Sequence, residues 1–306
     1  MLNELEANGR THLMPDISLI LPAYNESKTI VNTVREAHAY FASRGLSSQI
    51  IVAADGNDGT REKARELAAE IPGIIVLGSE QRSGKGRGIR LGVEQATGDI
   101  IGFADADNKV PIEEFDKFLP LLRDKADFVI GTRARGESKI EKPQPLYRRL
   151  GGRGFYYVMQ FLIGLPGVRD TQCGFKFFRH ALAKAVFAHS TVDGYMYDVE
   201  IIALALRMGA RLEQVAIRWR DDADSRLDLV SGNIRNMRDI LRIRRRMASL
   251  KPGDLPDFSA HNLLNLCAYS SPASPDSSVP PSPTAFSKTA IPSSASITSQ
   301  PVSRNF

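Results

Sequence analysis

The chain has 306 residues, of which 42% are hydrophobic and 25% charged, and its formal net charge is +5. This composition is typical of a globular protein and excludes a fibrous or wholly disordered one. No apolar stretch reaches the roughly 18 residues that span a bilayer, the N-terminus lacks the apolar core of a signal peptide, and two cysteines cannot build a disulfide framework or a cysteine-based metal site. We therefore expect a cytoplasmic protein.

Composition divides the chain into three parts. We interpret residues 1–15 as an N-terminal extension, residues 16–252 as a folded domain and residues 253–306 as a C-terminal tail. The tail is dominated by Ser, Pro and Ala. Because such a segment buries too little apolar surface to offset the loss of chain entropy, we predict that the tail is disordered.

Short apolar runs alternate with helical patterns through the first half of the domain. In the first helical pattern, Ile30, Val34, Ala37 and Phe41 recur at helical spacing. The alternation predicts an open, largely parallel sheet with helices on both faces. In chain order, the predicted elements are a strand at 17–25, a helix at 26–45, a strand at 48–55, a helix at 59–71, a strand at 73–79, a helix at 86–98, a strand at 99–107, a helix at 111–126 and a strand at 127–133.

The pattern loosens after residue 133. We predict a helix at 148–165, a second helix at 197–209 and a final strand at 210–219. Residues 231–250 form a basic amphipathic helix, for which two interpretations stay open. The helix either packs on its own domain with a solvated basic face or docks on a membrane surface.

Polar side chains follow successive strands of the predicted sheet. Because parallel sheets bind ligands outside the carboxyl ends of their strands, we expect these side chains to form one rim. The rim residues are Asn25, Glu26, Asp55, Ser83, Gly84, Lys85, Asp105, Asp107 and Arg133.

Two carboxylates of this rim, Asp105 and Asp107, lie two residues apart in the stretch FADADN. If the strand continues through them, alternation places both on the same side, where like charges repel unless a cation or donors lie between them. A solvated acidic turn is the alternative for an isolated Asp-x-Asp. The other rim residues favour a site.

The rim suits a phosphorylated ligand that is held with a divalent metal. Magnesium takes oxygen ligands, commonly one or two carboxylates together with substrate phosphates. The turn Gly84-Lys85-Gly86 could add N–H groups and an ammonium, although the chain has no Walker motif and no G-x-G-x-x-G after its first strand. The basic stretches lack interleaved aromatic residues, so no nucleic-acid partner is expected. The chemistry indicated is group transfer from a nucleoside diphosphate.

Several motifs together resemble a known family. LPAYNE, FADADN and GTR resemble family 2 glycosyltransferases of the GT-A type, and RDTQCGFKFF, YDVEI and the closing basic helix resemble the branch of dolichyl- and polyprenyl-phosphate beta-glucosyltransferases. The resemblance extends from Ile17 to Arg246. It implies a GT-A (Rossmann-like) fold, an α/β architecture with a mostly parallel sheet flanked by helices. Residues 16–133 would be the nucleotide-binding half, and residues 134–252 the acceptor half.

The resemblance also implies roles for individual residues. The catalytic set would be Asp105, Asp107 and Arg133. We add Asp198 from its position at the start of the predicted helix 197–209, where it either serves as a helix-start acid or faces the sugar. The nucleotide sugar would be bound by Pro22, Tyr24, Glu26, Asp55, Lys85 and Asp105. The carboxylates that would hold Mg²⁺ or Mn²⁺ are Asp105 and Asp107. The phosphate of the acceptor would be bound by Arg148, Arg149 and Arg226.

The activity implied is a metal-dependent, inverting transfer of a hexose, with glucose favoured, from a UDP- or GDP-hexose to a polyprenyl or dolichyl phosphate. A lipid acceptor implies a peripheral contact with the cytoplasmic face of a membrane. Two alternatives stay open: the same donor chemistry with a soluble or glycan hydroxyl acceptor, and an inert nucleotide-sugar-binding protein.

Two departures from the family pattern bear on the donor. The segment Ala54-Asp55-Gly56-Asn57 has one carboxylate fewer than the family's Asp-Asp-Gly-Ser, which leaves the choice between UDP and GDP open. Lys109 stands where some mannosyl-type members have a metal-binding glutamine, and this favours the glucosyl branch.

Overall fold

A seven-stranded sheet lies at the centre of the computed structural model, which describes residues 14–133, 161–165, 167–219 and 231–259. All of these residues belong to one unit, Met1–Ser271. The strands in chain order are β1 (Ile17–Tyr24), β2 (Ser48–Asp55), β3 (Ile74–Leu77), β4 (Ile100–Ala104), β5 (Phe128–Thr132), β6 (Phe175–Arg179) and β7 (Leu212–Ala216).

The strand order across the sheet is β3-β2-β1-β4-β6-β5-β7. Strand β1 pairs in parallel with β2 and β4, β2 with β3, and β5 with β7. Strand β6 alone among these runs antiparallel, between β4 and β5. The mostly parallel α/β sheet confirms the predicted fold class.

Helices cover both faces of this sheet, as predicted. Buried side chains of β1 alternate between two hydrophobic clusters, with Ile20 in one and Leu19 and Leu21 in the other. The helices are α1 (Ile30–Ser43), α2 (Thr60–Glu70), α3 (Lys85–Gln95), a 3₁₀ helix (Ile112–Lys117), α4 (Leu119–Asp124), α5 (His180–Ala188), α6 (Tyr197–Arg207) and α7 (Ser231–Ser249).

The single helix predicted at 111–126 is divided into the 3₁₀ helix and α4. Pro120 lies in the first turn of α4. A proline is tolerated there, but inside a continuous helix its ring would clash with the carbonyl four residues earlier. The proline therefore starts a new helix.

Strand β6 has no counterpart among the predicted elements. Its sequence, FKFFR, is short and buried at its first four positions, including Lys176 at 0% exposure. A buried lysine interrupts the apolar run by which a core strand is recognised. Most of the helix predicted at 148–165 lies outside the described residues.

The start of the predicted tail packs on the domain. Leu255 and Phe258 are partly buried against the hydrophobic core, and the backbone N–H of Phe258 donates to the carbonyl of Met208 at 2.6 Å. The Ser/Pro-rich composition of residues 253–306 concealed these two apolar side chains. The domain therefore extends at least to Ser259, beyond the predicted boundary at residue 252, and the rest of the tail lies outside the described residues.

Candidate active site

The two carboxylates of the FADADN stretch lie in a turn directly after β4. The backbone N–H of Asn108 donates to the carbonyl of Asp105 at 3.2 Å and closes the turn. Ala106 is buried, and its carbonyl accepts the hydroxyl of Thr33 at 2.9 Å. The side chains of Asp105 and Asp107 remain 36% and 29% exposed. The turn, not the strand alternation that we expected, places both carboxylates at the rim.

Each of these carboxylates has its own lysine partner. The Lys85 ammonium bonds to Asp105, and Lys109 Nζ lies 2.9 Å from an oxygen of Asp107. Burial favours the neutral form of Lys85, but the negative charges of Asp105 and Asp198 outweigh this effect and raise its pKa above the usual range. The lysines therefore supply the positive charge that the carboxylate pair requires.

Space beside Asp105 depends on a glycine. A Cβ atom built on Gly174 would lie 2.2 Å from Asp105 Oδ2. Gly174 directly precedes β6, whose pairing with β4 ends at Ala104 and Phe175. The antiparallel β6 thus brings the loop before it, residues 170–174, to the same edge of the sheet.

The carboxylates fit a divalent metal. Within the described part of the chain, no group of three or more His, Cys, Asp or Glu side chains could hold an ion by itself. Two carboxylate groups with oxygen ligands completed by a substrate diphosphate are the donor set that Mg²⁺ accepts, and Mn²⁺ also accepts carboxylate and water oxygens. The small Gly174 leaves room beside Asp105, so Asp105 and Asp107 are the residues that could hold the metal.

Asp55, at the end of β2, shapes a neighbouring loop. Its two carboxylate oxygens accept the backbone N–H groups of Ser79 at 3.2 Å and Ser83 at 2.6 Å. These bonds hold the segment that leads to Lys85 and α3. The predicted nucleotide contact of Asp55 would be made by a carboxylate that already holds the loop.

The end of β1 carries the other residues that are expected, from the family resemblance, to bind the nucleotide. Tyr24 pairs with Asp55 across the strands and is 41% exposed. The guanidinium carbon of Arg82 lies 4.4 Å from the centre of the Tyr24 ring. Pro22 lies two residues earlier in β1, partly buried. Glu26 follows the strand, and one of its carboxylate oxygens accepts the hydroxyl of Thr29 at 3.0 Å. The sheet thus brings Pro22, Tyr24, Glu26 and Asp55 to one end of the rim.

Arg133 lies at the other end, directly after β5. Asp170 accepts two bonds from its guanidinium, both at 2.9 Å, and a third from its backbone N–H at 2.9 Å. The guanidinium carbon lies 5.3 Å from the centre of the Trp219 ring. Burial disfavours the charged guanidinium, but Asp170 more than compensates and raises the pKa of Arg133. Asp170 and Trp219 therefore fix Arg133 in place.

Asp198, on α6, is buried rather than presented at the rim. It is 2% exposed and bonds to the ammonium of Lys176, which is 0% exposed and also donates to the carbonyl of Cys173. Burial raises the pKa of Asp198, and the Lys176 charge opposes this shift only in part. The pair connects α6 to the loop that packs against Asp105. Asp198 could act on a substrate only by leaving this pair or through another group.

Glu200 and Cys173 are structural groups. Glu200 accepts the backbone N–H groups of Thr191 and Val192, each at 2.8 Å, and lies 2.9 Å from the Arg246 guanidinium. Cys173 is 1% exposed, and burial raises the pKa of its thiol to about 12. A thiol with this pKa is protonated near pH 7, so it does not serve as a nucleophile.

The structure brings together Asp105, Asp107, Lys85 and Arg133 along one rim. It does not test the predicted roles of Arg148, Arg149 and Arg226, which lie outside the described residues. Sequence reasoning missed the supporting residues Asp170, Gly174 and Lys176. All three occur in the motif RDTQCGFKFF, which was recognised as a family motif but could not be assigned to the rim without β6.

None of the described helices has the length and apolar content that crossing a bilayer requires.

Comparisons with known proteins give a consistent result. The sequence model of Glycosyl transferase family 2 matches residues 18–187. A dolichyl-phosphate beta-glucosyltransferase of Trichomonas vaginalis is 30% identical over 239 residues, which are 74% of this chain and 72% of that protein. The human dolichyl-phosphate beta-glucosyltransferase is 28% identical over 264 residues, 79% of this chain and 81% of that protein.

Solved structures support the fold. Glucosyl-3-phosphoglycerate synthase from Mycobacterium tuberculosis, crystallised with Mn²⁺, UDP and phosphoglyceric acid, superposes with a TM-score of 0.56 at 23% identity and covers 83% of this chain and 84% of that one. At this level of sequence identity, the similarity shows a shared fold alone.

Proposed function

The chain belongs to Glycosyl transferase family 2 and is a hexosyltransferase, and from this premise we propose that it transfers glucose from UDP- or GDP-glucose to a polyprenyl phosphate, with inversion at the anomeric carbon. The observation that carries the proposal is the similarity to dolichyl-phosphate beta-glucosyltransferases over about three quarters of the chain. The geometry of the rim agrees with two phosphorylated ligands.

The proposed reaction exchanges one bond of the anomeric carbon for another. An oxygen of the acceptor phosphate forms a bond to that carbon, and the bond to the diphosphate oxygen breaks. The nucleoside diphosphate leaves with the electron pair. Attack from the face opposite the leaving group inverts the configuration, so an α-linked donor gives a β-linked product.

The chain's own residues would stabilise the leaving diphosphate. Lys85 lies beside Asp105 and can move its ammonium to a phosphate oxygen when a ligand binds. Mg²⁺ or Mn²⁺ held by Asp105 and Asp107 would neutralise charge on the diphosphate. Charge stabilisation of this kind is commonly the largest catalytic contribution in such reactions.

Arg133 is suited to the acceptor phosphate. A guanidinium has five N–H donors, and Asp170 takes two of them. No described residue accepts the three others, so they can serve a phosphate, and the clamp by Asp170 and Trp219 lowers the entropy cost of ordering the side chain. Arg148, Arg149 and Arg226 remain proposed partners of the same phosphate.

A phosphate acceptor fits the burial of Asp198, the base candidate that the structure describes on α6. The second pKa of a phosphate monoester is near 6, so the acceptor is mostly ionised at neutral pH and needs no strong general base. A hydroxyl acceptor would gain from a base, but Asp198 is buried in its pair with Lys176. The same burial therefore favours a phosphate over a hydroxyl.

We place the membrane contact at α7. Ile240, Ile243 and Met247 of this helix are buried on the domain, whereas Met237 and Leu241 are 44% and 41% exposed. The same helix also exposes five arginines, namely Arg235, Arg238, Arg242, Arg244 and Arg245. A helix that exposes both an apolar pair and several cations suits an anionic lipid surface.

A vesicle experiment tests this placement. The full chain should sediment with phosphatidylserine-containing vesicles, and Met237→Glu with Leu241→Glu should reduce the bound fraction severalfold. Ala248→Glu, exposed on the same helix, controls for added negative charge alone. Equal binding of all three proteins would remove α7 from the membrane contact.

The donor is tested directly with the purified full chain. UDP- and GDP-linked glucose, mannose and galactose are each incubated with Mg²⁺ or Mn²⁺ and a polyprenyl phosphate, and the products are identified by mass spectrometry. We expect a glucosyl phospholipid that β-glucosidase cleaves. A mannosyl product, or binding of donors without turnover, would overturn the proposal.

A further inference from the structure

Gln172 carries a buried amide that the proposed chemistry does not yet use. Both its Nε2 and Oε1 atoms are inaccessible to solvent, and neither has a hydrogen-bond partner in the part of the chain that the structure describes. Buried side-chain amides in folded proteins are nearly always hydrogen-bonded. The amide of Gln172 therefore has hydrogen-bonding capacity that the described residues leave unused and that a bound ligand could use.

The amide lies on the loop that joins the two halves of the rim. Two residues before Gln172, Asp170 clamps Arg133, and two residues after it, Gly174 packs against Asp105. The backbone of Gln172 is thus tied on one side to Arg133 and on the other to Asp105.

The strand order fixes what lies on each side of this loop. From one end, the rim runs along β2, β1, β4, β6 and β5. Tyr24 and Asp55 are the last residues of β1 and β2, Asp105 follows β4, and Arg133 follows β5. Gln172 lies in the loop before β6, between Asp105 and Arg133 in this order. If the nucleoside of the donor lies at β1 and β2 and its diphosphate at Asp105, a sugar that continues along this strand order would lie on the side of Asp105 where Gln172 is.

The hydrogen-bonding groups of the Gln172 amide indicate which part of the nucleotide sugar it binds. Phosphates only accept hydrogen bonds, and the rim already offers them the charged donors Lys85 and Arg133. A carboxamide offers donors and an acceptor without charge, which matches a sugar hydroxyl that both donates and accepts. We infer that Gln172 binds a hydroxyl group of the hexose that is transferred and contributes to the choice of sugar. This inference rests on the proposed function.

Deoxy-sugars give the sharpest test. The donors are UDP-glucose and GDP-glucose, with the 2-, 3-, 4- and 6-deoxy analogues of whichever nucleotide is active. For the unmodified chain, we expect the kcat/KM of one analogue to be about 10- to 100-fold lower than that of the glucose donor, because the missing hydroxyl leaves the buried amide without its partner. Gln172→Met keeps a similar length without the amide. With the glucose donor, the kcat/KM of Gln172→Met should be lower than that of the unmodified chain by a similar factor. With the one sensitive deoxy analogue, the two proteins should have the same kcat/KM.

Binding measurements separate this role from a structural one. By calorimetry with Mn²⁺, Gln172→Met should bind the nucleoside diphosphate as tightly as the unmodified chain and bind the nucleotide sugar more weakly. Gln172→Asn, which keeps a shorter amide, checks folding if the methionine variant is unstable. Gln95→Met, exposed at the end of α3, controls for the substitution itself.

Two kinds of outcome would overturn the inference. If Gln172→Met weakens binding of the nucleoside diphosphate and the nucleotide sugar equally, or if the same deoxy-analogue is penalised in both proteins, Gln172 does not contact the sugar. If the unmodified chain binds neither nucleotide sugar, the proposed function fails, and the inference fails with it.

Discussion

At the scale of single residues, lysines neutralise the two carboxylates after β4. Asp105 bonds to Lys85 and Asp107 to Lys109. A metal must compete with these ammonium groups, which are partly exposed and can rotate away. We therefore interpret the pairs as contacts that a metal and a diphosphate replace when they bind.

Asp107→Asn should abolish most turnover without unfolding the domain. The substitution removes a charged oxygen ligand, and we expect kcat to fall by about 10²-fold or more. The pair with Lys109 is partly exposed, so its loss should cost about 1 kcal/mol or less in unfolding free energy. Steady-state rates across a Mg²⁺ and Mn²⁺ titration, with a thermal melt, measure both effects. Full activity at ordinary Mg²⁺ concentration would refute the metal assignment of Asp107.

At the scale of elements, strand β6 determines the shape of the site. Its antiparallel direction brings residues 170–174 to the carboxyl edge of the parallel strands. The Lys176–Asp198 pair then ties this strand to α6. A buried ion pair of this kind contributes little net stability, but removing one partner leaves a buried charge uncompensated.

Gly174→Ala should reduce activity more than stability. The added methyl group would lie 2.2 Å from Asp105 Oδ2, so the carboxylate must move away from its lysine partner. We expect at least a tenfold loss in kcat/KM and a change in unfolding free energy of about 1–2 kcal/mol, as for modest overpacking.

Gly88→Ala is the matched control for this substitution. A Cβ at Gly88 meets the side chain of Ala53 at 3.5 Å, an ordinary contact, and alanine favours the helical backbone of α3. The control should melt at the same or a higher temperature. Equal activity losses in the two variants would show that crowding at Asp105 is not the cause.

Asp58 joins the loop after β1 to the start of α2 through hydrogen bonds from Ser27 and Thr60. These bonds should make the stability of the domain depend on pH. Burial disfavours the charged form of Asp58, but hydrogen bonds from Thr60 and Ser27 together outweigh this effect and lower its pKa from 3.8 to about 2. A carboxyl whose pKa is lower in the folded state stabilises the fold above its unfolded pKa. The contribution is lost as the pH falls from about 4 to about 2.

Asp58→Asn measures this contribution. Because Asp58 is exposed, we discount for screening and expect a loss of about 1 kcal/mol at pH 7. Urea unfolding at several pH values should show the difference shrinking below pH 4. Glu66→Gln, which removes an exposed carboxylate from α2, should cause no comparable trend. A difference from the unmodified chain that stays constant down to pH 2 would contradict the assignment.

Sequence patterns predicted the strands of the first half of the domain because each of them is a continuous, largely apolar run. They failed at β6, where Lys176 is buried by a pairing with Asp198 that lies 22 positions away in the chain. They also identified Asp105, Asp107 and Arg133 without their partners. The contacts of Gly174 with Asp105 and of Asp170 with Arg133 depend on strand order, which local periodicity does not encode.

At the scale of the whole molecule, the domain ends later than composition indicated. Leu255 and Phe258 pack against the core near the end of α6. Residues after Ser259 keep the Ser/Pro-rich composition on which the prediction of disorder rests. The two parts of the tail should therefore differ in their effect on stability.

Two truncations separate these parts. Deleting residues 260–306 should leave activity and Tm nearly unchanged. Deleting residues 254–306 also removes Leu255 and Phe258, and should cost about 1–3 kcal/mol and lower Tm by several degrees. Thermal melts of both proteins under one buffer condition give the comparison. An equal Tm for the two truncations would mean that residues 254–259 add nothing to the domain.

The central claim is that the acceptor is a lipid phosphate. The most direct test measures glucose transfer by the full chain, with its active donor, to a polyprenyl phosphate and to the polyprenol of the same chain length. The two acceptors differ only in the phosphate that Arg133 is proposed to bind and that supplies an ionised nucleophile. We predict a rate at least about 10²-fold higher with the phosphate, in line with the usual value of general-base assistance that an alcohol would require. An equal or faster rate with the alcohol would contradict the account and assign the acceptor to a hydroxyl.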